Sequence, residues 1–274
     1  MIESILLAVD VSDVAAVCGD YAVHIAARLD ARVHCLYVLD QRLINMPHWT
    51  DYGAVSLPTM TFKDDMQALL DTQADLALGR FRDKADPAGI TFELQKRDGI
   101  PARTILEQVR VNDLLMIGRR GESNQLDDSL ELGSTAEKIL RRSHCPVLVT
   151  PGIFTPISRI VLGFDGSERA SATMRYAVEF AKRLTLPLTT VSVGDDAEVS
   201  LHLKTVQDYA HDHNINLTTQ AASGNPADEI LDLASPGDLI AIGAFGSNRL
   251  REFFLGSTTE MILKRAVCPV LLHR

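Results

Sequence analysis

Short apolar runs alternate with longer amphipathic segments along this chain, most clearly in its second half. Residues 159–164 form an apolar run, and residues 168–184 then carry apolar side chains at helical spacing. The same pattern predicts strands at 188–193, 215–221, 239–242 and 270–273, and helices near 199–211, 227–234 and 257–266. Apolar strands separated by helices are typical of an open parallel sheet covered on both faces, so we predict a Rossmann-like α/β fold.

The chain also repeats itself. Residues 100–150 and 225–273 carry the same landmarks in the same order, and SILLAVDVS at 4–12 matches RIVLGFDGS at 159–167. The matched pairs are Pro101 with Pro226, Asp113 with Asp238, Gly118 with Gly243, Gly133 with Gly256, and Cys145 with Cys268. Because chance does not align so many landmarks, we predict two tandem copies of one domain, at 1–152 and 153–274, joined near residues 150–152.

The first copy is the longer one. Matched positions are 155 residues apart at Asp10 and Asp165 but 125 apart at Gly118 and Gly243, so the first copy holds 30 extra residues (155 − 125). We place them after the second strand, at about 41–63, because residues 46–60 in this stretch have neither helical nor strand periodicity. A mobile surface loop is the simpler interpretation, and an ordered flap is the alternative.

Composition narrows the function classes. The formal net charge of −9 disfavours nucleic acid and anionic membranes as partners, because both need a basic face. No apolar run approaches the ~20 residues of a membrane span, and the N-terminus lacks the features of a secretion signal, so we expect a cytoplasmic protein. The four cysteines are too scattered for a disulfide framework or a zinc site, and His211 and His213 diverge on a helix, so we predict no metal site.

Unusual residues at the strand ends predict a ligand site. The first strand of each copy ends at an aspartate, Asp10 or Asp165, and the fourth strand ends in glycines. Ligands of open parallel sheets bind beyond the carboxyl ends of the strands, so these residues face one crevice if the first and fourth strands are neighbours. In the second copy the glycines have the spacing G-x2-G-x9-G-S, at Gly243, Gly246, Gly256 and Ser257.

This spacing favours a bound polyphosphate. Glycines let backbone N–H groups approach a ligand, and the helix that starts at Gly256 and Ser257 attracts anions. Arg249 and Arg251 could add positive charge near the phosphates, and the Asp165 carboxylate could accept hydrogen bonds from a base amine or from ribose hydroxyls.

A simpler interpretation competes with the ligand. Ser257 with Glu260, and Ser134 with Glu137, have the spacing of a capping box, which would start a helix without any ligand. The better-known glycine motifs for phosphate, the P-loop and the G-x-G-x-x-G loop after a first strand, are absent from the sequence.

With these motifs the sequence resembles the universal stress protein family, in its tandem-domain form, over essentially the whole chain. The resemblance implies two five-stranded sheets paired as a pseudo-dimer through their fifth strands, 146–150 and 269–273, and a homodimer that pairs through such strands. It also implies ATP, ADP or AMP as the ligand, which could bind together with Mg²⁺. Backbone groups at Val193, or at Val38 in the first copy, would recognise the adenine base. The resemblance implies Asp165, Val193, Gly243, Gly246, Gly256 and Ser257 as nucleotide-binding residues of the second copy, and we add Arg249 and Thr258 beside the expected phosphates.

The first copy departs from this pattern. Eleven residues, not nine, separate Gly121 from Gly133, and residues 118–134 carry two arginines and four acids, a sum of −2, against +1 for residues 243–257. Acids beside a phosphate oppose its binding, so we predict that the second copy binds nucleotide and that the first is degenerate. Arg119 and Arg120 are the residues that could offset the acids. The weaker candidates of the first copy are Asp10, Val38, Gly118, Gly121, Gly133 and Ser134.

Three functions remain open at this point. The first is an ATP-binding stress or signalling protein, in which nucleotide changes conformation or the choice of a protein partner not yet known. The second is an ATPase or nucleotidyl-transfer enzyme of similar fold; no dedicated base or P-loop lysine is evident, so we predict no catalytic residue and slow hydrolysis at most. The third is a structural or interaction module that binds no nucleotide.

Overall fold

The computed structural model describes residues 2–45, 48–49, 55–56, 60–121, 132–244 and 256–273. The first copy contains, in chain order, β1 (Ser4–Val9), α1 (Asp13–Leu29), β2 (Arg32–Asp40), α2 (Gln41–Ile44), β3 (His48–Trp49), β4 (Val55–Ser56), α3 (Met60–Ala88), β5 (Phe92–Gly99), α4 (Pro101–Gln108), β6 (Leu114–Gly118), α5 (Ser134–Leu140) and β7 (Val147–Thr150). The second contains β8 (Arg159–Gly163), α6 (Glu168–Leu184), β9 (Leu188–Val193), α7 (Asp196–Asp212), β10 (Leu217–Ala222), α8 (Pro226–Leu233), β11 (Asp238–Gly243), α9 (Ser257–Arg265) and β12 (Val270–His273). Each strand and helix predicted for the second copy is confirmed, with ends that differ by a few residues.

The main strands form one ten-stranded sheet in the order β10-β9-β8-β11-β12-β7-β6-β1-β2-β5. Within each copy the strands are parallel, and the first strand lies between the second and the fourth. The first and fourth strands are therefore neighbours, as the crevice predicted from the sequence requires. The two copies meet where β12 pairs antiparallel with β7, with Val270 opposite Val149 and Leu272 opposite Val147.

The pairing through fifth strands is thus confirmed as a pairing inside one chain. It also corrects the expectation of a homodimer joined through these strands. Strand β7 already lies between β6 and β12, and β12 between β11 and β7, so neither has a free edge for a second chain.

Two apolar layers hold the sheet, one on each face, and each layer extends across both copies. Helices α1, α3, α6 and α7 cover one face, where Tyr21 and Phe180 are among the largest fully buried side chains. Helices α4, α5, α8 and α9 cover the other face. Within the described parts of the chain, no helix combines the length and the apolar character that crossing a membrane requires.

The internal repeat extends to the way the helices begin and end. The Ser12 hydroxyl accepts a hydrogen bond of 3.1 Å from the Ala15 N–H at the start of α1, and Ser167 does the same at the start of α6. Both helices end on a residue in the left-handed region, Asp30 with φ 50° and Thr185 with φ 54°. The matched sequences therefore encode matched backbone geometry.

The extra residues of the first copy are only partly an insertion between elements. Helix α3 has 29 residues and its counterpart α7 has 17, so twelve of the extra residues (29 − 17) lengthen a helix. Helices flank the segment predicted to be irregular, residues 46–60, since α2 spans Gln41–Ile44 and α3 begins at Met60. The first turns of α3 alternate between exposed and half-buried positions, and Phe62, Met66 and Leu70 have the i, i+4, i+8 spacing of one helix face, a signal that the sequence reasoning overlooked. The choice between loop and flap concerns residues 46–59, most of which lie outside the described residues.

Candidate functional site

The aspartate that ends the first strand of each copy organises the turn that follows it. Oδ1 of Asp10 accepts a hydrogen bond of 2.9 Å from the Ser12 N–H, and Oδ1 of Asp165 accepts one of 3.1 Å from the Ser167 N–H. The same serines cap α1 and α6. The D-x-S sequence therefore has a structural role in both copies, and it places one carboxylate at the carboxyl edge of the sheet in each.

A cavity of about 410 Å³ opens at this edge in the first copy. It lies beyond the ends of β1, β2 and β6, between α2 and α3 on one side and α4 and α5 on the other. Most of its lining is apolar. The structure brings together in it all six first-copy residues proposed from the sequence, which are Asp10, Val38, Gly118, Gly121, Gly133 and Ser134.

Two glycines of this cavity lie close to its other walls, and a side chain at Gly121 would clash with Asp10. A Cβ added to Gly121 would lie 2.5 Å from Oδ2 of Asp10, and one added to Gly133 would lie 3.5 Å from the backbone N of Gly121. The Gly133 N–H donates a hydrogen bond of 3.0 Å to the carbonyl oxygen of Arg119. The turn after β6 therefore packs directly onto the aspartate and onto the start of α5.

The capping-box interpretation is wrong at both helices. The N-cap residues are Gly133 and Gly256, so the serines that follow them are the first residues inside α5 and α9. Neither N-cap makes a side-chain hydrogen bond to its helix. The glutamates bond forward instead: Glu137 pairs with Arg141, and Oε1 of Glu260 accepts from Nζ of Lys264 at 2.8 Å. The glycine N-caps thus leave the first N–H groups of each helix without the side-chain acceptor that a capping box supplies.

Four polar residues of the cavity were missed by the sequence reasoning. The Arg42 guanidinium bonds both carboxylate oxygens of Asp40, with Nε 2.9 Å from Oδ1, and the Tyr37 hydroxyl lies 3.4 Å from Oε1 of Gln73. Burial alone would raise the pKa of Asp40, but hydrogen bonds from the Arg42 side chain and N–H lower it below its ordinary value. A signal for Asp40 was present, since Asp195 stands 155 residues later at the same offset as Asp10 and Asp165. Arg42 and Gln73 lie on elements that local periodicity did not relate to the crevice.

Arg119 does not serve the cavity beside it. Its NH1 group donates to the carbonyl oxygens of Leu263, Lys264 and Ala266 in the second copy, at 3.0, 3.1 and 3.0 Å. Burial lowers the pKa of this guanidinium from its ordinary value. Arg119 is therefore committed to the end of α9, and it cannot offset the acids of the first copy as the sequence had allowed. Its counterpart in the second copy is Ala244, which is buried.

In the second copy the structure describes six of the eight predicted residues, which are Asp165, Val193, Gly243, Gly256, Ser257 and Thr258. Gly246 and Arg249 lie outside the described residues. Gly243 ends β11 against the first turn of α6, where a Cβ would lie 2.7 Å from the backbone N of Ala170. Asp165 and Ser257 are exposed at the same edge of the sheet.

A histidine close to Asp165 was also missed. Nδ1 of His202, on α7, lies 3.1 Å from Oγ of Ser192, and a Cβ on Gly166 would lie 2.3 Å from its Nε2. Gly166 has φ +72°, so a side chain there is disfavoured by the backbone as well. A lone histidine within a helix gives no sequence signal for such a position.

Comparison with known proteins agrees with this architecture. A sequence profile described as the universal stress protein family matches residues 1–151 and 194–274. The chain belongs to this family. A universal stress protein of Synechocystis sp. (strain ATCC 27184 / PCC 6803 / Kazusa) is 27% identical over 287 residues, covering 99% of this chain and 100% of its own.

Solved universal stress proteins share the fold. The crystal structure of one from Archaeoglobus fulgidus DSM 4304 matches with a TM-score of 0.76 and 21% identity, over 99% of this chain and 98% of its own. Another universal stress protein, solved in complex with cAMP, matches 56% of this chain and 98% of its own at 20% identity, with a TM-score of 0.36. The profile match confirms the family inferred from the sequence, and the Archaeoglobus fulgidus structure with a TM-score of 0.76 confirms the tandem α/β fold.

Proposed function

We propose that this universal stress protein binds an adenine nucleotide at the carboxyl edge of its sheet and acts in a stress response or in signalling through nucleotide-dependent conformation or partner binding. One observation carries the proposal. The residues that the glycine motif and the first-strand aspartate single out in the first copy line one cavity, at the strand ends where open parallel sheets bind ligands. Because the two copies share strand order and the D-x-S turn, the same crevice is expected in the second.

The second copy is the stronger candidate for a triphosphate. It alone has the full G-x2-G-x9-G-S spacing. Helix α9 starts from a glycine N-cap, so N–H groups at Ser257 and Thr258 suit a phosphate oxygen, favoured by the helix dipole. Gly246 and Arg249 would complete the phosphate side, with or without Mg²⁺. Asp165 and the backbone of Val193 would contact the nucleoside.

The two copies differ in the charge of the segment that would surround the phosphates. The segment between the fourth strand and the next helix sums to −2 in the first copy and +1 in the second. At an effective dielectric constant of about 20, two unit charges 4 Å apart interact by roughly 4 kcal/mol, and salt reduces this near the surface. A difference of three charges favours the second copy for ATP even after strong screening. The first-copy cavity would then hold nucleotide weakly or serve as a structural partner.

The test is direct. In a first experiment, purified protein is denatured and the supernatant is run on a nucleotide column to identify any nucleotide that was bound. In a second, titration calorimetry on folded protein measures the ATP affinity of the wild type, Gly246→Val and Gly121→Val. We expect ATP binding that Gly246→Val abolishes and that Gly121→Val leaves nearly unchanged, with circular dichroism confirming that both variants fold. Equal losses at both positions would refute the assignment to the second copy.

A phosphate-release assay on the same samples separates the other functions. Bound ATP with at most slow release of phosphate supports the proposal. Rapid turnover would make the protein an ATPase instead. Failure of the wild type to bind ATP, ADP or AMP under any condition would leave an interaction module and end the proposal.

A further inference from the structure

We propose that Arg119, a residue of the first copy, positions the phosphate-binding helix of the second copy, so that the C-terminal nucleotide site is completed by the N-terminal half. This inference rests on the proposed function and adds to it a positioning residue that touches no ligand. Removal of the guanidinium is expected to weaken binding of phosphate groups at the far end of α9.

The Arg119 side chain caps the C-terminal end of α9 with three hydrogen bonds. The last carbonyl groups of an α-helix have no partner within the helix. One nitrogen of Arg119 reaches two of these groups, at Leu263 and Lys264, and the carbonyl oxygen of Ala266 just beyond the helix. A cation at this end also interacts favourably with the helix dipole. Arg119 thus fixes α9 both by geometry and by charge.

The cap is one-sided. Position 119 corresponds to Ala244, whose side chain has no hydrogen-bonding group. Helix α5, the counterpart of α9, ends on its own backbone, because the Arg142 and Ser143 N–H groups both donate to the carbonyl oxygen of Ile139, at 3.0 and 2.8 Å. Among the described residues, the second copy therefore depends on the first for this contact, and no matching contact runs from the second copy to the end of α5.

The backbone of Arg119 is held by the first-copy cavity. It lies between Gly118 and Gly121, which line that cavity, and its carbonyl oxygen accepts from the Gly133 N–H at the start of α5. Its own N–H donates to the carbonyl oxygen of Thr150 at 3.1 Å. One residue therefore ties the wall of the N-terminal cavity to the end of α9.

Helix α9 is short enough to carry this constraint to its other end. Its nine residues span about 13 Å at 1.5 Å per residue. The helix packs on the sheet through Ile262 and Leu263, which are nearly fully buried. Loss of the cap would let the helix fray or tilt from its C-terminal end, and its N-terminal N–H groups would then meet the phosphates in a poorer geometry.

Three variants test the inference. Arg119→Ala removes the cap, and Arg119→Lys keeps a cation and several donors. Arg265→Ala is the matched control, since it removes one positive charge from the same helix end, where the Arg265 side chain bonds the half-exposed Asp228 at 2.6 Å and Sδ of Met261 at 3.6 Å. Affinities for ATP, AMP, adenosine and inorganic tripolyphosphate are measured by calorimetry, and hydrogen exchange is compared for residues 257–265 and 134–140.

We expect Arg119→Ala to weaken ATP and tripolyphosphate by roughly threefold to thirtyfold, the range that residues without ligand contact produce. Adenosine should change less than AMP, and AMP less than ATP. Exchange should rise in α9 and not in α5, Arg119→Lys should recover part of the affinity, and Arg265→Ala should stay near the wild type.

The outcomes are distinguishable. If the wild type binds ATP but Arg119→Ala binds it equally well, or loses ATP and adenosine to the same extent, the inference is refuted and the proposed function stands. An equal loss in Arg265→Ala would reduce the effect to general electrostatics and also refute it. If the wild type binds neither ATP nor tripolyphosphate, the proposed function fails and the inference falls with it. If Arg119→Ala does not fold, the Arg119→Lys variant provides the test. A loss of tripolyphosphate affinity larger than the loss of adenosine affinity supports the inference, and equal losses or no loss refute it.

Discussion

Replacing Gly243 with alanine should destabilise the protein much more than the same change at Gly118, although the two glycines are matched in the repeat. A Cβ at Gly243 would lie 2.7 Å from the backbone N of Ala170 and 2.9 Å from the backbone C of Arg169. At Gly118 the nearest atom is Cγ1 of the Val14 side chain, at 2.9 Å, and a carbonyl oxygen of the next turn lies at 3.1 Å. The first obstacle is helix backbone, whereas the second is chiefly a side chain that can change rotamer.

The cost follows from the size of the overlap. Non-bonded atoms favour separations of about 3.5 Å or more, so the new methyl group at position 243 would intrude by roughly 0.8 Å. Relief requires the start of α6 to move away from β11, although Ala170 is only 2% exposed and belongs to the core. Overpacking of this kind typically costs about 1–3 kcal/mol, so we expect about 2–3 kcal/mol for Gly243→Ala and about 1 kcal/mol or less for Gly118→Ala. Neither glycine has a left-handed φ, so backbone strain does not contribute.

Urea unfolding followed by circular dichroism measures the difference. The free energy of unfolding is compared for the wild type and the two variants, with the denaturant dependence checked for equality so that only stability is being compared. Equal costs at the two positions, or a larger cost at Gly118, would refute the steric reasoning.

Three further predictions concern buried groups. Burial raises the pKa of the Cys18 and Cys268 thiols to about 12, so a thiol reagent at pH 8 should modify neither in the folded protein and both after denaturation; mass spectrometry of the folded sample would reveal a contrary result. Burial alone would raise the pKa of Asp113, but hydrogen bonds from two backbone N–H groups and the Ser4 hydroxyl lower it below its ordinary value. Because the lowered pKa belongs to the folded state, this stabilisation is present above the unfolded pKa of about 4 and is lost as pH falls through the folded pKa. Since solvent screens this half-exposed carboxylate, Asp113→Asn should cost about 1 kcal/mol or less at pH 7 and progressively less towards pH 3, and a cost that does not vary with pH would contradict this. Tyr21→Phe should lower the free energy of unfolding in urea by about 1–2 kcal/mol, since the Tyr21 hydroxyl donates to the Ile153 carbonyl oxygen at 3.2 Å and accepts from the Thr155 N–H at 3.1 Å. An unchanged free energy of unfolding would show that water replaces both bonds.

Local periodicity was sufficient wherever a segment has one buried face. Helix α6 was predicted at 168–184 and spans Glu168–Leu184, because apolar residues recur along one side and Ser167 caps its start. The start of α3 was missed although Phe62, Met66 and Leu70 recur at helical spacing, because this stripe begins directly after a segment that has no periodicity. The capping box was misjudged because the spacing of Ser257 and Glu260 is the same whether the serine precedes the helix or begins it, and only the backbone distinguishes the two.

The sequence by itself determined that the chain holds two copies of one α/β domain, which residues form the strands and helices of the second copy, and which glycines and which aspartate line the cavity of the first. These properties follow from which side of each segment must be buried and from turns that only certain residues can make. The tertiary structure alone decided that the paired fifth strands leave no free edge for a second chain, and that Arg119 turns away from its own cavity to cap a helix about 145 residues later. The reason is physical. An apolar pattern shows that a surface must be covered. A strand edge or a guanidinium, by contrast, can form hydrogen bonds with many partners, and the fold of the rest of the chain decides which partner lies within reach.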